Sequence, residues 1–383
     1  MMKTATRLDT VQEYYFSRKL REVRGLMAAG KPIINMGIGS PDLAPDPKVT
    51  QALIAATAEE NAHQYQSYQG LPELREAIAF FYKRQFGVSM DAASEILPLM
   101  GSKEGIMHIS MAFLNPGDGV LIPDPGYPTY QSVSDLVGAK VIPYRLSLDK
   151  NWLPDIAALE QLDLTQIKLM WLSYPHMPTG AVASVAALTE LVAFAKKHDI
   201  LLVNDNPYSF ILNKAPQSIL SIPGAKGHVM ELNSLSKTFN MAGWRVGMVL
   251  GDAAIINAVL KVKSNMDSGM FYPIQKGAIA ALDVADDWYA SLNKVYEERR
   301  ALTYELADAL GCTYDPKAVG LFVWAKLPVG VTDAEAFIEA LLHEKDLFIT
   351  PGTIFGAGGA GYVRFSLCVD KTIIKEAIER VKN

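Results

Sequence analysis

The chain has 383 residues, of which 50% are hydrophobic and 20% are charged, so it is long enough to bury a large hydrophobic core. Its formal net charge of −5 offers no basic surface, which argues against a nucleic-acid partner. The only two cysteines, Cys312 and Cys368, lie in apolar surroundings and form no Cys/His cluster. A disulfide framework is therefore not expected, and no metal site is predicted.

The N-terminal residues contain no apolar segment of the kind found in secretory signals. Elsewhere no apolar run approaches the ~18 residues that a membrane-spanning helix needs. These features predict a cytoplasmic protein in a reducing compartment, with no membrane partner.

Short apolar runs alternate with helical patterns between residues 48 and 275. The runs at 96–100, 119–123, 168–172, 200–204 and 229–232 are typical of buried strands. Strands that are apolar on both faces occur in mainly parallel sheets covered by helices. Residues 187–198 have helical spacing and end in two lysines and a histidine, which suits a crossover helix. The pattern predicts an α/β core.

The last hundred residues have a different pattern. A long helical stretch covers about 273–310, with an interruption near Asp286, and is followed by short strands at 322–325 and 363–367 and by two more helices. We therefore predict a smaller α+β domain. The predicted organisation is an N-terminal arm and start of the small domain (1–47), a large cofactor-binding domain (48–275) and a small C-terminal domain (276–383).

The most informative segment is 234–247, which lies between two apolar runs and contains one lysine among small hydroxyl residues. Lys237 on this connection can lose its proton and attack a carbonyl. Ser234, Ser236 and Arg245 can neutralise a nearby phosphate. A phosphate beside a nucleophilic amine indicates pyridoxal 5'-phosphate. Taken alone, such a segment is much more often an exposed lysine in a Ser/Thr-rich turn.

Three other polar motifs follow predicted strands, where open parallel sheets bind their ligands. Gly101-Ser102-Lys103-Glu104-Gly105 opens a helix and offers backbone N–H groups to a phosphate, although it also fits a simple helix cap. Asp124-Pro125-Gly126-Tyr127 fixes an aromatic ring that could stack on a flat cofactor, although such a motif is often only a turn. Asn204-Asp205-Asn206-Pro207-Tyr208 places a carboxylate where it could pair with a protonated pyridine nitrogen.

Together these motifs, in this order, resemble the class I aminotransferases of the fold-type I, pyridoxal-phosphate-dependent superfamily. The resemblance spans nearly the whole chain. It is also carried by residues 37–42 (Gly-Ile-Gly-Ser-Pro-Asp), Tyr65 before Gly70-Leu71-Pro72, residues 175–180, Pro351-Gly352 and residues 363–366. It implies an α/β fold, with a large domain containing a mainly parallel mixed sheet covered by helices, and a smaller α+β domain.

The resemblance also implies roles for individual residues. Lys237 would bond to the cofactor and then serve as the base and acid of a proton shift. Asp205 would pair with the pyridinium nitrogen, Tyr208 would hydrogen-bond the phenolic oxygen, and Tyr127 would stack on the ring. The implied reaction is a two-stage ping-pong transfer of an amino group between an amino acid and a 2-oxo acid.

The remaining implied contacts concern phosphate and substrate. The phosphate would be held by Ser102, Lys103, Ser234, Ser236 and Arg245. For Ser236 and Lys103 the resemblance is also compatible with a contact through the backbone alone. Tyr65 would reach the phosphate from a second subunit, which implies a homodimer with shared active sites. Arg364 would bind the substrate α-carboxylate as a bidentate fork, assisted by the backbone of Gly39.

The chain departs from the family pattern at one position. Where the family usually has an asparagine that donates to the phenolic oxygen of the cofactor, this chain has Met177, preceded by His176. A thioether cannot donate that hydrogen bond. Tyr208 would then make the contact alone, or His176 or a water would replace the amide. His176 is equally compatible with a structural role in the turn.

Several features bear on the substrate. Relatives specific for dicarboxylates have an arginine in the segment that corresponds to residues 263–273, and this chain has none there. Met266, Met270 and Phe271, with the arm residues Tyr14, Tyr15 and Phe16, suggest a pocket for a neutral or amphipathic side chain, although they also fit a core.

Other substrates and reactions remain open from the sequence. The pattern also resembles the alanine and LL-diaminopimelate aminotransferase branches, and Asp267 could meet a distal ammonium group. The same cofactor motifs also occur in lyases that carry out β-elimination on an amino acid. A ligand-sensing transcription regulator is disfavoured, because only about 30 residues precede the Gly37 motif.

Overall fold

The computed structural model describes residues 2–9, 11, 13 and 15–383, with the backbone alone for residue 16. Two residues predicted for the substrate pocket, Tyr14 and the side chain of Phe16, lie outside the described part. No helix in the described residues is both long and apolar enough to cross a membrane.

A seven-stranded sheet forms the centre of the molecule. Its strands are β2 (Ile96–Leu99), β3 (Gly119–Asp124), β4 (Lys140–Arg145), β5 (Ile167–Leu172), β6 (Leu201–Asp205), β7 (Val229–Ser234) and β8 (Gly247–Gly251), in the spatial order β2-β8-β7-β6-β5-β3-β4. The four pairings from β7 to β4 are parallel, and β8 is antiparallel to both of its neighbours. The mainly parallel sheet predicted from the apolar runs is confirmed, and it is mixed, as the family resemblance implies.

Helices cover this sheet. They are α2 (Pro47–Thr57), α3 (Pro72–Phe86), α4 (Ser102–Phe113), α5 (Pro128–Val137), α6 (Ile156–Leu159), α7 (Val185–Lys197), α8 (Ala253–Lys263) and α9 (Tyr272–Leu282). Their ends follow from local chemistry. The side chains of Ser184 and Asp252 accept from backbone N–H groups in the first turns of α7 and α8, and Gly87 closes α3 at φ 69°.

The remaining elements form smaller sheets and the helices that pack on them. β9 (Thr313–Tyr314), β10 (Phe322–Lys326), β12 (Thr350–Pro351) and β13 (Tyr362–Ser366) make a four-stranded antiparallel sheet, and β1 (Ile34–Asn35) pairs in parallel with β11 (Leu347–Phe348). The helices are α1 (Tyr15–Ala28), α10 (Asp286–Ala309), α11 (Ala334–Glu344) and α12 (Lys371–Lys382). The predicted domain boundaries remain a prediction.

The topology brings distant motifs to one edge of the large sheet. β6 ends at Asp205 and β7 ends at Ser234, and these parallel strands are direct neighbours. α4 begins at Ser102, directly after β2. Since parallel strands end on the same edge, the motifs after these strands converge there.

Candidate active site

A cavity of about 530 Å³ lies at this edge of the sheet. It is lined by eleven of the twelve residues that the sequence motifs indicated: Gly39, Ser102, Lys103, Tyr127, Asp205, Tyr208, Ser234, Ser236, Lys237, Arg245 and Arg364. The twelfth, Tyr65, does not line it, and its side chain is 90% exposed. The motifs thus meet in one place, while their individual roles stay predictions.

Asp205 lines the cavity and is 6% exposed. Its Oδ2 accepts a hydrogen bond of 3.0 Å from the Tyr130 hydroxyl, and the Tyr130 ring stacks on Trp171 at 4.9 Å. Burial raises the pKa of Asp205 to about 7, against the opposing effects of Tyr130 and Lys237. Its Oδ1 is buried and has no hydrogen-bond partner among the described residues. Such an atom needs a donor, and a protonated ring nitrogen is one.

The Lys237 ammonium donates to the carbonyl oxygen of Gly39 at 2.6 Å. Burial lowers the pKa of Lys237, and the charges of Arg364 and Arg245 act in the same direction, while Cys368 and Asp205 oppose them. Burial and neighbouring cations are the usual means of making a lysine nucleophilic near neutral pH. The amine is therefore well prepared to attack a carbonyl.

The first turn of α4 and the end of β7 form a cradle suited to an anion. Gly101 precedes α4 with φ +98°, and a Cβ there would lie 2.2 Å from an Arg245 guanidinium nitrogen. Burial lowers the pKa of Lys103, and the charge of Arg245 lowers it further. Two cations held beside a helix N-terminus favour a bound anion such as phosphate.

Arg364 on β13 is 4% exposed, with its guanidinium carbon 3.9 Å from the ring centre of Phe322 and 4.7 Å from that of Phe355. One terminal nitrogen donates to the carbonyl oxygen of Gly37 at 2.8 Å, and the other lies 3.5 Å from the sulfur of Met177. The packing holds a planar cation in a fixed orientation, as bidentate binding of a carboxylate requires.

Met177, which departs from the family pattern, lies in a buried turn with His176 and Thr179. His176 Nδ1 is 2.8 Å from the Thr179 hydroxyl, and burial lowers the pKa of His176 to about 3, so its imidazole is neutral at neutral pH. Met177 lines the cavity, whereas His176 does not. The structural role of His176 is therefore favoured over a direct contact with a ligand.

The segment expected to form the substrate pocket lies elsewhere within one chain. Asp267 is paired with Lys263 at 2.9 Å, and both side chains are buried, so a free carboxylate for a distal ammonium is not present there. Met270 is buried in the core, while Met266 and Phe271 are exposed and do not line the cavity. Within one chain Lys263 holds this segment against residues 66–68, away from the cavity, and its contribution to the pocket stays a prediction.

Other residues line the cavity without having been singled out from the sequence. These are Ser17, Leu20, Ile38, Ser40, Tyr130, Ser173, Pro207, Ala242 and Phe322. Tyr130 carries a weak signal, because it lies three residues after Tyr127 at the start of α5 and so shares its helix face. Leu20 and Phe322 carry no signal, because each comes from an element far from the cofactor motifs in sequence.

Comparison with known proteins agrees with this geometry. The family described as "Aminotransferase class I and II" matches residues 31–381. The LL-diaminopimelate aminotransferase of Maridesulfovibrio salexigens is 40% identical over 382 residues, covering 99% of this chain and 98% of the relative. The corresponding protein of Natranaerobius thermophilus is 41% identical over 383 residues, covering 99% of each.

Solved structures agree as well. The substrate-bound structure of BacF from Bacillus subtilis superposes with a TM-score of 0.95 at 35% identity, covering 100% of this chain and 98% of that one. An aspartate aminotransferase mutant of Thermus thermophilus superposes with a TM-score of 0.92 at 25% identity, covering 100% and 99%. These findings confirm the fold class and the reaction class predicted from the motifs: this chain belongs to the class I and II aminotransferase family.

Proposed function

We propose that this aminotransferase binds pyridoxal 5'-phosphate in the cavity at the edge of the large sheet. The observation that carries the proposal is the buried, unpartnered Asp205 Oδ1 in the same cavity as the Lys237 amine. Members of this family depend on this cofactor in general. When bound, the cofactor supplies a carbonyl that reacts with an amine and a ring that accepts electrons.

The chain's own groups divide the work around the cofactor. Asp205 would hold the proton on the ring nitrogen, and Tyr208 would donate to the phenolic oxygen. Tyr127 would lie against the ring. The phosphate would meet the hydroxyl, guanidinium and ammonium groups of the cradle: Ser102, Lys103, Ser234, Ser236 and Arg245. Each of these residues lines the cavity.

Lys237 and Arg364 would act on the substrate. Arg364 would bind the α-carboxylate, with the Gly39 backbone nearby, and so orient the amino acid in the cavity. The Lys237 amine would take the proton from the substrate α-carbon and return it during the transfer. Met177 gives the phenolic oxygen no hydrogen-bond donor, which leaves Tyr208 as the side chain proposed for that contact.

We propose a neutral or amphipathic amino donor. Apolar groups of Leu20, Ile38 and Phe322 line the cavity. Its five charged lining residues all have proposed roles toward the cofactor or the α-carboxylate. LL-diaminopimelate is the second candidate donor, because relatives about 40% identical carry that name. The proposed assembly is a homodimer in which Tyr65, exposed in one chain, reaches the phosphate site of the other.

A half-reaction screen tests the proposal. Pyridoxal 5'-phosphate is added to the purified protein, and its visible absorption band is followed as single amino acids and LL-diaminopimelate are added without an oxo acid. Stoichiometric conversion of the cofactor by donors with neutral side chains is expected. The Lys237→Ala variant should bind cofactor and lose turnover by several orders of magnitude. Full activity in that variant, or steady release of ammonia without an acceptor, would contradict the proposal.

A further inference from the structure

A buried chain of polar groups lies behind the phosphate side of the cavity, and none of its first three members lines the cavity. It joins Glu231 and Asn233 on β7 to Tyr82 on α3 and ends at the backbone of Ser234. Glu231 and Tyr82 are completely buried, and Asn233 is 7% exposed. Buried polar groups are costly unless satisfied, so a chain of them at this place requires a reason.

The contacts are short and continuous. The Tyr82 hydroxyl donates to Glu231 Oε1 at 2.9 Å, and the backbone N–H of Ile219 donates to Glu231 Oε2 at 3.0 Å. The Asn233 side-chain amide donates to the Tyr82 oxygen at 3.1 Å. The Asn233 carbonyl oxygen accepts from the backbone N–H of Ser234 at 2.8 Å. Both oxygens of the carboxyl group are therefore engaged.

The direction of each hydrogen bond follows from the first. The Tyr82 hydroxyl donates to Glu231, and its phenolic oxygen is then available as an acceptor. That acceptor orients the NH₂ group of Asn233 toward Tyr82. The carbonyl oxygen of the same amide must then face the N–H of Ser234. Glu231, acting through Tyr82, and the N–H of Ser234 thus favour the same orientation of the Asn233 amide.

Ser234 is the place where β7 ends and the loop with Lys237 begins. Its hydroxyl lies 3.4 Å from the backbone N–H of Ser236. Holding the Ser234 backbone therefore places two hydroxyl groups of the phosphate cradle. Metal sites follow the same logic, since groups behind the ligands orient them and removing such a group weakens binding about 10- to 100-fold.

We propose that Tyr82 and Glu231 are positioning residues for the phosphate cradle, acting through the Asn233 amide on the backbone of Ser234. The inference rests on the proposed binding of pyridoxal 5'-phosphate. Tyr82 belongs to none of the motifs that carry the family resemblance, and it lies 149 residues from Glu231 in sequence.

The Tyr82→Phe variant removes the shared hydroxyl and keeps the ring, which packs at 5.1 Å from Phe86. The matched control is Tyr144→Phe. Its hydroxyl is also buried and donates to a carbonyl, that of Trp171, but it lies on the edge strand β4. A second variant, Glu231→Gln, has only one acceptor oxygen. The Ile219 N–H requires that oxygen, because a backbone N–H can only donate, so the NH₂ group faces Tyr82 and the Tyr82 hydroxyl loses its acceptor.

Cofactor-free preparations of the four proteins are titrated with pyridoxal 5'-phosphate, and the dissociation constant is read from the visible absorption. Thermal unfolding of the same preparations is measured in parallel. We expect the dissociation constant to rise about tenfold in Tyr82→Phe and measurably in Glu231→Gln, and to stay unchanged in Tyr144→Phe. The melting temperatures of both tyrosine variants should fall by similar amounts.

The outcomes separate the two claims. A Tyr82→Phe protein that melts earlier but binds the cofactor as tightly as the wild type has lost a purely structural contact, and the inference is then overturned. If Tyr82→Phe does not fold, an unchanged dissociation constant in Glu231→Gln overturns it instead. A wild-type protein that binds no pyridoxal 5'-phosphate would overturn the proposed function, and this inference with it.

Discussion

At the residue scale, the Asp205 carboxyl group is buried, although burying a charged group costs free energy of folding. Asp205 is nearly inaccessible to water, and the Tyr130 hydroxyl satisfies only one of its oxygens. Its chemical type and its place after β6 were predictable from the sequence, because ligands collect at strand ends. Its partner Tyr130 was not assigned a role, because a hydrogen bond between groups 75 positions apart depends on packing.

The burial of Asp205 predicts the direction in which folding stability changes with pH. Burial raises the pKa of Asp205 from 3.8 to about 7, so in the cofactor-free protein the folded state holds this proton more tightly than the unfolded chain. The stability that the group contributes is present below about pH 4 and is lost as the pH rises through about 7. The melting temperature of Asp205→Asn minus that of the wild type should therefore be larger at pH 8 than at pH 5.

The measurement is the difference in melting temperature between cofactor-free Asp205→Asn and wild type at the two pH values. Asparagine at position 205 also changes the packing, but this effect on the melting temperature is the same at both pH values and cancels when the two differences are compared. Equal differences at pH 5 and pH 8 would refute the prediction. The same variant should bind pyridoxal 5'-phosphate more weakly, since the proposed partner of the ring nitrogen has lost its charge.

At the element scale, hydrophobic patterning located the strands and helices well. The run at 200–204 became β6 and the helical pattern at 187–198 became α7, each within two residues. Apolar runs and caps are local signals, which is why they sufficed. The antiparallel direction of β8 was not predicted, because strand direction depends on how the connection crosses the sheet.

The junction between β2 and α4 carries a specific prediction. Gly101→Ala would place a methyl group against the Arg245 guanidinium at a backbone φ of +98°, so we expect the dissociation constant of pyridoxal 5'-phosphate to rise more than tenfold. Gly87→Ala is the matched control. Gly87 also has a positive φ, of +69°, but a Cβ there meets no atom within 4 Å.

Both alanine variants should lose stability, because alanine is disfavoured at positive φ. Only Gly101→Ala should weaken cofactor binding. Titration of the two cofactor-free variants with pyridoxal 5'-phosphate checks this. Similar dissociation constants for both would show that the close approach of the backbone to Arg245 is unimportant for the site.

At the scale of the whole molecule, the sequence motifs predicted which residues line a common cavity. The expectation of a second subunit came from the family resemblance. The cavity contains every residue assigned to catalysis, to the cofactor or to the substrate α-carboxylate except Tyr65, which lies on the surface. Contacts between subunits leave no periodic signal in a sequence, so Tyr65 was assigned through the resemblance alone. The position of the segment 263–273 was not predictable either, because the buried Lys263 side chain donates to the carbonyl oxygen of Tyr68, which is far away in sequence.

Mixing two variants, each defective in one proposed partner of the site, tests whether the site is shared. Lys237→Ala lacks the amine, and Tyr65→Phe lacks the hydroxyl proposed to cross the interface. If each site combines Lys237 of one chain with Tyr65 of the other, a mixed dimer contains one intact site. Random reassociation should then restore about a quarter of the sites.

Activity is measured after the two variants are unfolded and refolded together, with each variant refolded alone as the control. A mixture no more active than the mean of the separate proteins would mean that both residues of a site belong to one chain, or that the protein is monomeric. Sedimentation of the wild type distinguishes those two cases.

The segment from Gly37 to Gly39 is hydrogen-bonded to the two cations that are proposed to act on the substrate, Arg364 and Lys237. The carbonyl of Gly37 accepts from Arg364, and that of Gly39 accepts from Lys237. A ligand that takes over either cation removes one of these ties, and occupation of both removes the two together. In the absence of a ligand, the backbone carbonyls of the loop after β1 therefore supply acceptors to the Arg364 guanidinium and the Lys237 ammonium, and a ligand that binds both cations leaves this loop with two fewer hydrogen bonds to the rest of the cavity.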